Sequence, residues 1–277
     1  MISVARFILK EKAPILYEFA RFLRLKGEQA FSREYVAKHN FGGHELSVAI
    51  SDRVAREWYD HDMDRPSSFD FFAGRGLLKN ARVFMLGAHQ AVIGLMLEKT
   101  TEAKGSIVAV EGNRSNYLAG KRNLQLNRST SITWLHSVVG ATDGTVPFSQ
   151  SHNGMVAIGN HTLSSEQTTS VTIDTLADRY GQPDIVMLDI EGYEAHALEG
   201  AANTLNSGCA WYVEIHSDVQ LGRYGKSNLD VIRVFEPNFD LFFSSDDVTP
   251  FVARNLFGTL PHDRFFAIAI PSLSGPR

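Results

Sequence analysis

The sequence predicts an α/β fold, a mostly parallel sheet with helices on both faces, and three observations predict it. From about residue 83 onward, short apolar runs alternate with helical stretches, the pattern of βαβ units. The runs are apolar nearly throughout, as strands covered on both faces are. The first run ends in a glycine that leads straight into a helical stretch, and the second ends in a glutamate. Open sheets build a ligand crevice from elements in this order.

Residues 1 to about 30 read as a basic amphipathic helix, with Phe7, Ile8, Ile15, Leu16, Phe19, Phe22 and Leu23 at spacings of three and four. Such a stripe packs on its own domain or lies against a membrane surface or partner. Residues 38–75 are polar and aromatic, with turns at Gly42-Gly43 and Pro66. Strands are expected at Val83–Leu86, Ile107–Val110, Trp134–Val139, Ile185–Leu188 and Trp211–Ile215, with helices at about 91–103, 115–127 and 193–206. Phe239–Phe243 and Phe265–Ile270 would add an antiparallel pair at one edge, completing seven strands. The segment 148–170 is rich in Ser, Thr, Asn and Gly and reads as a long loop or weak edge hairpin. The division expected is an N-terminal helical extension or lid over 1–75 and a Rossmann-like domain over 76–277.

Composition narrows the function. Of the 277 residues, 44% are hydrophobic and 21% charged, ordinary for a chain with a full core. A formal net charge of −4 gives no electrostatic case for nucleic acid. The lone cysteine, Cys209, cannot form an internal disulfide. No run is long and apolar enough to span a bilayer, and Lys10, Glu11 and Lys12 interrupt any signal-peptide pattern. A cytoplasmic protein without integral membrane association is expected.

Four sites carry chemistry. In Val83-Phe84-Met85-Leu86-Gly87-Ala88-His89-Gln90, Gly87 permits a tight turn and a close-lying ligand, and the helix start beyond it can receive an anion. His89 stands where a dinucleotide's pyrophosphate would need a small residue, which counts against a nicotinamide oxidoreductase. A cofactor whose anion is an amino-acid carboxylate tolerates the ring better. Glu111, some two dozen residues past Gly87, is placed to bind both hydroxyls of a ribose. Asp189 and Glu191 emerge at the end of the central strand, where they could bind an ammonium, act as a base or hold a cation. Glu214 and His216 share one face at the end of the next strand. Asp189 and Glu191 could bridge a divalent cation, but no Cys/His spacing indicates zinc, and no dedicated metal site is predicted.

At these residues the sequence resembles the FkbM-type methyltransferase family, over roughly residues 56–245. The resemblance lies in Gly87-Ala88-His89-Gln90, Val108-Ala109-Val110-Glu111 and Asn123-Leu124-Gln125-Leu126-Asn127. It continues in Val171-Thr172-Ile173-Asp174-Thr175-Leu176, Asp189-Ile190-Glu191-Gly192-Tyr193-Glu194 and Val213-Glu214-Ile215-His216, with Glu57-Trp58-Tyr59-Asp60 upstream. It implies a class I methyltransferase fold, S-adenosylmethionine as methyl donor, and a hydroxyl acceptor on a sugar, polyketide or related natural product. Two positions depart from the family pattern. Met85 stands where an aspartate usually helps anchor the cofactor's amino-acid end, and Ala91 where a glycine is usual.

The resulting expectation is an O-methyltransferase. Gly87, Ala88, His89, Glu111 and Asp189 bind the cofactor. His216 or Asp189 takes the hydroxyl's proton, the imidazole preferred because it titrates near neutrality, and Glu191 orients. The partner is a small-molecule or glycan acceptor. The sequence permits a homo-oligomer without specifying one. The rival reading is a non-catalytic binding or scaffold protein that has kept the fold and lost the cofactor site at Met85.

Overall fold

The computed structural model describes residues 34–100, 106–150, 154–157, 165–236 and 238–272. The expected helix over 1–30 lies outside them. The described chain opens with a β-hairpin, β1 (Tyr35–Phe41) and β2 (His44–Ile50), turned at Gly42-Gly43. Among the described residues of the expected helical extension, 34–52 form this hairpin instead of helix, and helix begins with α1 (Arg53–Tyr59) and α2 (Ser67–Gly74). Leu46, Val48 and Ile50 alternate onto the core side of β2, a period-2 pattern that excludes a helix.

The main body follows in the expected order: β3 (Arg82–Leu86), α3 (Val92–Thr100), β4 (Ser106–Glu111), α4 (Arg114–Leu126) and β5 (Ile132–His136). Then come β6 (Val138–Val139), β7 (Gly144–Ser149), β8 (Met155–Val156), β9 (Ser165–Val171) and α5 (Ile173–Tyr180). After these run β10 (Ile185–Leu188), α6 (Glu194–Glu199), α7 (Ala202–Leu205), β11 (Ala210–Ile215), α8 (Asp218–Gly222) and α9 (Asn228–Phe235). The chain closes with β12 (Phe239–Ser244), β13 (Val252–Ala253) and β14 (Phe265–Pro271).

The main sheet has the order β13-β12-β14-β11-β10-β3-β4-β5. The run from β5 to β11 is parallel, and β14 is antiparallel to both β11 and β12. This is the Rossmann-like sheet the sequence predicts, with the two-residue β13 as an eighth strand. One face packs Phe84, Leu86, Val186, Leu188 and Trp211 against α5, α6 and α9. The other packs Val83, Met85, Ile107 and Met187 against α1, α2, α3 and β2.

Two expected elements divide. The strand expected over Trp134–Val139 splits at Ser137, whose N–H bonds the Glu111 carbonyl (3.1 Å) and whose hydroxyl bonds the Thr169 carbonyl (2.8 Å). Beyond that switch, β6 joins a small second sheet, β6-β9-β7-β8. Its β7–β9 pairing is antiparallel, so hairpin arms bracket the segment 148–170. The helix expected over 193–206 breaks at Gly200, whose backbone lies against the Gly140 carbonyl too closely for any Cβ.

Several family-like motif residues hold this architecture together. Asn123, fully buried, accepts from Ala49 N–H (2.8 Å) and donates to the Gln90 carbonyl (2.9 Å), and Asn127 exchanges two bonds with Ser47. Thr172 caps α5, and Asp174 caps α7 through the Asn203 and Thr204 amides. Asp247 joins distant segments: its carboxylate accepts from the Ser68 amide (2.7 Å), the Ser68 hydroxyl (2.9 Å) and the Tyr212 hydroxyl (3.1 Å). Among the described residues no helix is long and apolar enough to cross a membrane.

Candidate functional site

The strands β3, β4 and β10 lie side by side, so Gly87, Glu111 and Asp189 meet at their carboxyl ends. Together they line a cleft whose far wall is Val138, Val139 and Phe148. Gly87 is obligatory: its φ is +88°, and an added Cβ would run into the Asp189 carbonyl. The N–H groups of Gly87 and Ala88 both donate to the Val110 carbonyl, at 3.0 Å.

The turn then passes through His89 (φ 48°) and Ala91 (φ 65°), both left-handed. Here lies the reason for the glycine usual at the second position. A left-handed L-residue costs about 1–2 kcal/mol, against the roughly 0.5–1 kcal/mol of extra chain entropy a glycine loses on folding. Ala91→Gly is therefore expected to stabilise the protein by roughly 0.5–1 kcal/mol in urea unfolding. A clear loss of stability would mean that the buried Ala91 methyl packs more than it strains.

Glu111 is buried and pre-set. Its Oε2 accepts from the His89 N–H (2.8 Å) and its Oε1 from the Asn113 N–H (2.7 Å). Burial pushes its carboxyl up to about 8, the two amides offsetting only part of the cost. His89 is held from behind. Its Nδ1 lies 2.7 Å from the Tyr59 hydroxyl, and its ring packs 5.1 Å from that of Trp58. Burial pulls its pKa down to about 4, so the ring is neutral. Its Nε2 is buried and without a hydrogen-bond partner.

Beside Glu111 lies a cluster of carboxylates. The strands β10 and β11 are parallel neighbours, which brings Asp189 close to His216. The turn after Asp189 is tight, with Glu191 (φ 58°) and Gly192 (φ 95°) both left-handed. Glu194, fully buried, closes it by accepting from the Gly192 N–H (3.0 Å). The same Glu194 oxygen binds His216 Nδ1 at 2.8 Å. Around His216 Nε2 stand Glu191 (3.5 Å), Glu214 (3.8 Å) and Asp189 (3.9 Å). Asp189 keeps 46% of its side chain exposed, whereas His216 keeps 4%. Burial and then the Glu214 charge raise the pKa of Asp189, and His216 draws it back. For His216, burial opposes the charge, but the Glu194 hydrogen bond and the surrounding carboxylates prevail and raise it to about 10.

The profile of the methyltransferase FkbM domain matches residues 86–239, more than half of the chain. The chain belongs to the FkbM methyltransferase family. No curated protein matched in sequence. Among solved structures, a SAM-dependent methyltransferase from Aquifex aeolicus is 10% identical, covers 80% of this chain and 94% of its own, and has a TM-score of 0.45. An O-methyltransferase from Bacillus cereus in complex with SAH is 10% identical, with 97% of each chain covered and a TM-score of 0.41. TomG from Streptomyces achromogenes, an O-methyltransferase involved in tomaymycin synthesis and solved with SAM, is 12% identical (74% and 80% covered, TM-score 0.41). These likenesses are distant.

In this FkbM methyltransferase domain, Gly87, His89, Glu111, Asp189 and Glu191 all line the one cleft. Ala88 does not: it is buried, with its amide already spent on Val110. His216 does not line the cleft either. It lies behind the carboxylates as an imidazolium at neutral pH, unlike the free imidazole that a base requires. Met85 points away from the cleft into the core, packing toward Gly94 of α3. Sequence reasoning missed three partners, Tyr59 and Trp58 behind His89 and Glu194 behind His216. The second glutamate in Asp189-x-Glu191-Gly-x-Glu194 was a visible signal for the last.

Proposed function

We propose that this protein is an S-adenosylmethionine-dependent O-methyltransferase acting on a hydroxyl of a sugar, polyketide or related natural product. The observation that carries the reading is Glu111, a buried carboxylate aimed by two backbone amides at the cleft of a family methyltransferase. Each of its oxygens keeps a lone pair for a ribose hydroxyl. The rest of the cleft fits the same cofactor. Val138, Val139 and Phe148 offer an apolar wall to an adenine. Asp189 and Glu191 face the end where an ammonium would lie. With the Tyr59 hydroxyl donating to Nδ1, His89 Nε2 carries a hydrogen, and that unpartnered donor suits an amino-acid carboxylate.

When bound, S-adenosylmethionine supplies a methyl group on a sulfonium. The residues of the chain hold the acceptor oxygen in line and remove its proton. Asp189, open on the cleft, takes the proton in this reading. His216 holds Asp189 and Glu191 in place from behind, and Glu191 orients. The buried free thiol of Cys209 fits the cytoplasm as the location.

Calorimetry with S-adenosylmethionine, S-adenosylhomocysteine and NAD tests the reading. Saturable binding of the first two and none of the third is expected. Binding of NAD alone, or of none, would overturn it in favour of an oxidoreductase or a scaffold.

The acidity of Glu111 adds a signed pH dependence. Ribose hydroxyls donate to the ionised form, and in the free protein Glu111 ionises only near pH 8. Affinity for S-adenosylhomocysteine should therefore rise with pH up to about 8, by at most about tenfold per unit. Glu111→Gln should bind at least about tenfold more weakly and lose that rise. A wild-type affinity that is flat between pH 6.5 and 8.5 would remove Glu111 from the ribose.

A further inference from the structure

We infer that Asp189, Glu214 and His216 form a divalent-cation site at the inner edge of the cleft. Its role in catalysis rests on the O-methyl-transfer reading; its existence does not. One donor atom from each of the three residues lies within 4.8 Å of the others. The histidine makes this more than a group of acids. Its side chain is 4% exposed, and Nδ1 is tied to Glu194 at 2.8 Å. With Nδ1 donating there, Nε2 points among the carboxylates, and an ion bound there takes the place of the hydrogen that Nε2 carries in the metal-free chain. A carboxylate behind the ring is the usual companion of a metal-bound histidine, fixing tautomer and orientation.

The distances agree. The oxygens of Glu214 and Asp189 stand 3.8 and 3.9 Å from Nε2. Those spacings exceed a charge-assisted hydrogen bond of about 2.7–2.9 Å. They are the spacings of donors that share one ion, since bonds of about 2.0–2.2 Å to a common centre keep neighbouring ligand atoms roughly 3–4 Å apart. Arg264 fixes Glu214 from outside at 2.9 Å. Among the described residues the four carboxylates of Asp189, Glu191, Glu194 and Glu214 are faced by His216 and Arg264, which leaves negative charge for a dication to balance. The mixed imidazole and carboxylate donors suit an ion such as Mn²⁺. Asp189 opens on the cleft, so the ion's remaining positions face the acceptor. Bound there, the hydroxyl oxygen would be polarised and give up its proton more readily.

The test is Mn²⁺ binding by the full chain with no methyl donor present, followed by electron paramagnetic resonance. One saturable site per chain is expected, with a nitrogen coupling from the imidazole of His216. Glu214→Gln and His216→Gln should each weaken binding by at least about tenfold. The nitrogen coupling is read on the wild type, so it decides even where a variant fails to fold. Absence of saturable binding, absence of nitrogen coupling, or unchanged affinity in a folded Glu214→Gln would each overturn the site. Calorimetry with S-adenosylhomocysteine on the same metal-free sample separates the two ideas. Binding of the nucleoside without Mn²⁺ binding defeats the cation site alone, and the reverse result defeats the methyl-transfer reading alone.

Discussion

Asp189→Asn is expected to lower turnover by about a hundredfold or more, a larger effect than on affinity for S-adenosylhomocysteine. The substitution keeps the shape of the side chain and removes its ability to hold a proton. Asp189 is the group best placed for that task, since nearly half of it is exposed in the cleft at the end of β10. Its backbone is doubly fixed, by its N–H to the Leu86 carbonyl (2.9 Å) and by the contact of its carbonyl with Gly87. The asparagine should therefore sit where the aspartate did. The measurement is a steady-state rate on an accepted hydroxyl substrate, with unfolding curves to show an intact fold. Near-normal turnover would move the role to Glu191, the other carboxylate that lines the cleft.

The second large effect concerns stability. Met85→Asp should destabilise the protein by roughly 3–5 kcal/mol, the cost of an unpaired buried charge. Met85 is 5% exposed, between Ala109 and Met187 on adjacent strands. A carboxylate there would face Gly94 and the apolar residues of α3, with nothing to pair with. Because whole domains hold only about 5–15 kcal/mol, the variant would fall well short of the parent in urea or thermal unfolding. A variant of parental stability that binds S-adenosylhomocysteine more tightly would show that residue 85 reaches the cofactor after all. The rival scaffold reading leaned on the missing aspartate, and the buried position of Met85 weakens that support.

The strand ends were legible because the physics that places them is local. A nearly continuous apolar run of four to six residues followed by Gly87, Glu111 or Asp189 fixes both the strand and the point where it leaves the sheet. The N-terminal hairpin was harder to read. The alternation of Leu46, Val48 and Ile50 is present in the sequence, but β1 beside it is mostly solvent-facing and carries little apolar signal. The helix α9 was not read, although a Ser227–Asp230 capping box opens it and Val231, Ile232 and Phe235 bury at helical spacing. In the site, what stayed hidden was pairing. Tyr59 meets His89 across 30 residues and Glu194 meets His216 across 22, and neither spacing follows from a period. The chemistry of His216 changed for that reason. Alone it is a neutral-range titrating group, but among four carboxylates it is a fixed cation.

The Asp247 junction bears on how the chain is made. Its partners Ser68 and Tyr212 lie 179 and 35 residues upstream, so the ribosome has long finished α2 before the carboxylate that fastens it emerges. Pairings of such separation form late. Until then Phe71 of α2, which packs on Phe242 and Phe251 in the folded chain, is open to any apolar surface nearby. A nascent chain halted before residue 247 should therefore carry a sticky patch that the finished protein never shows, and it is at that stage of synthesis that chaperones have most to do.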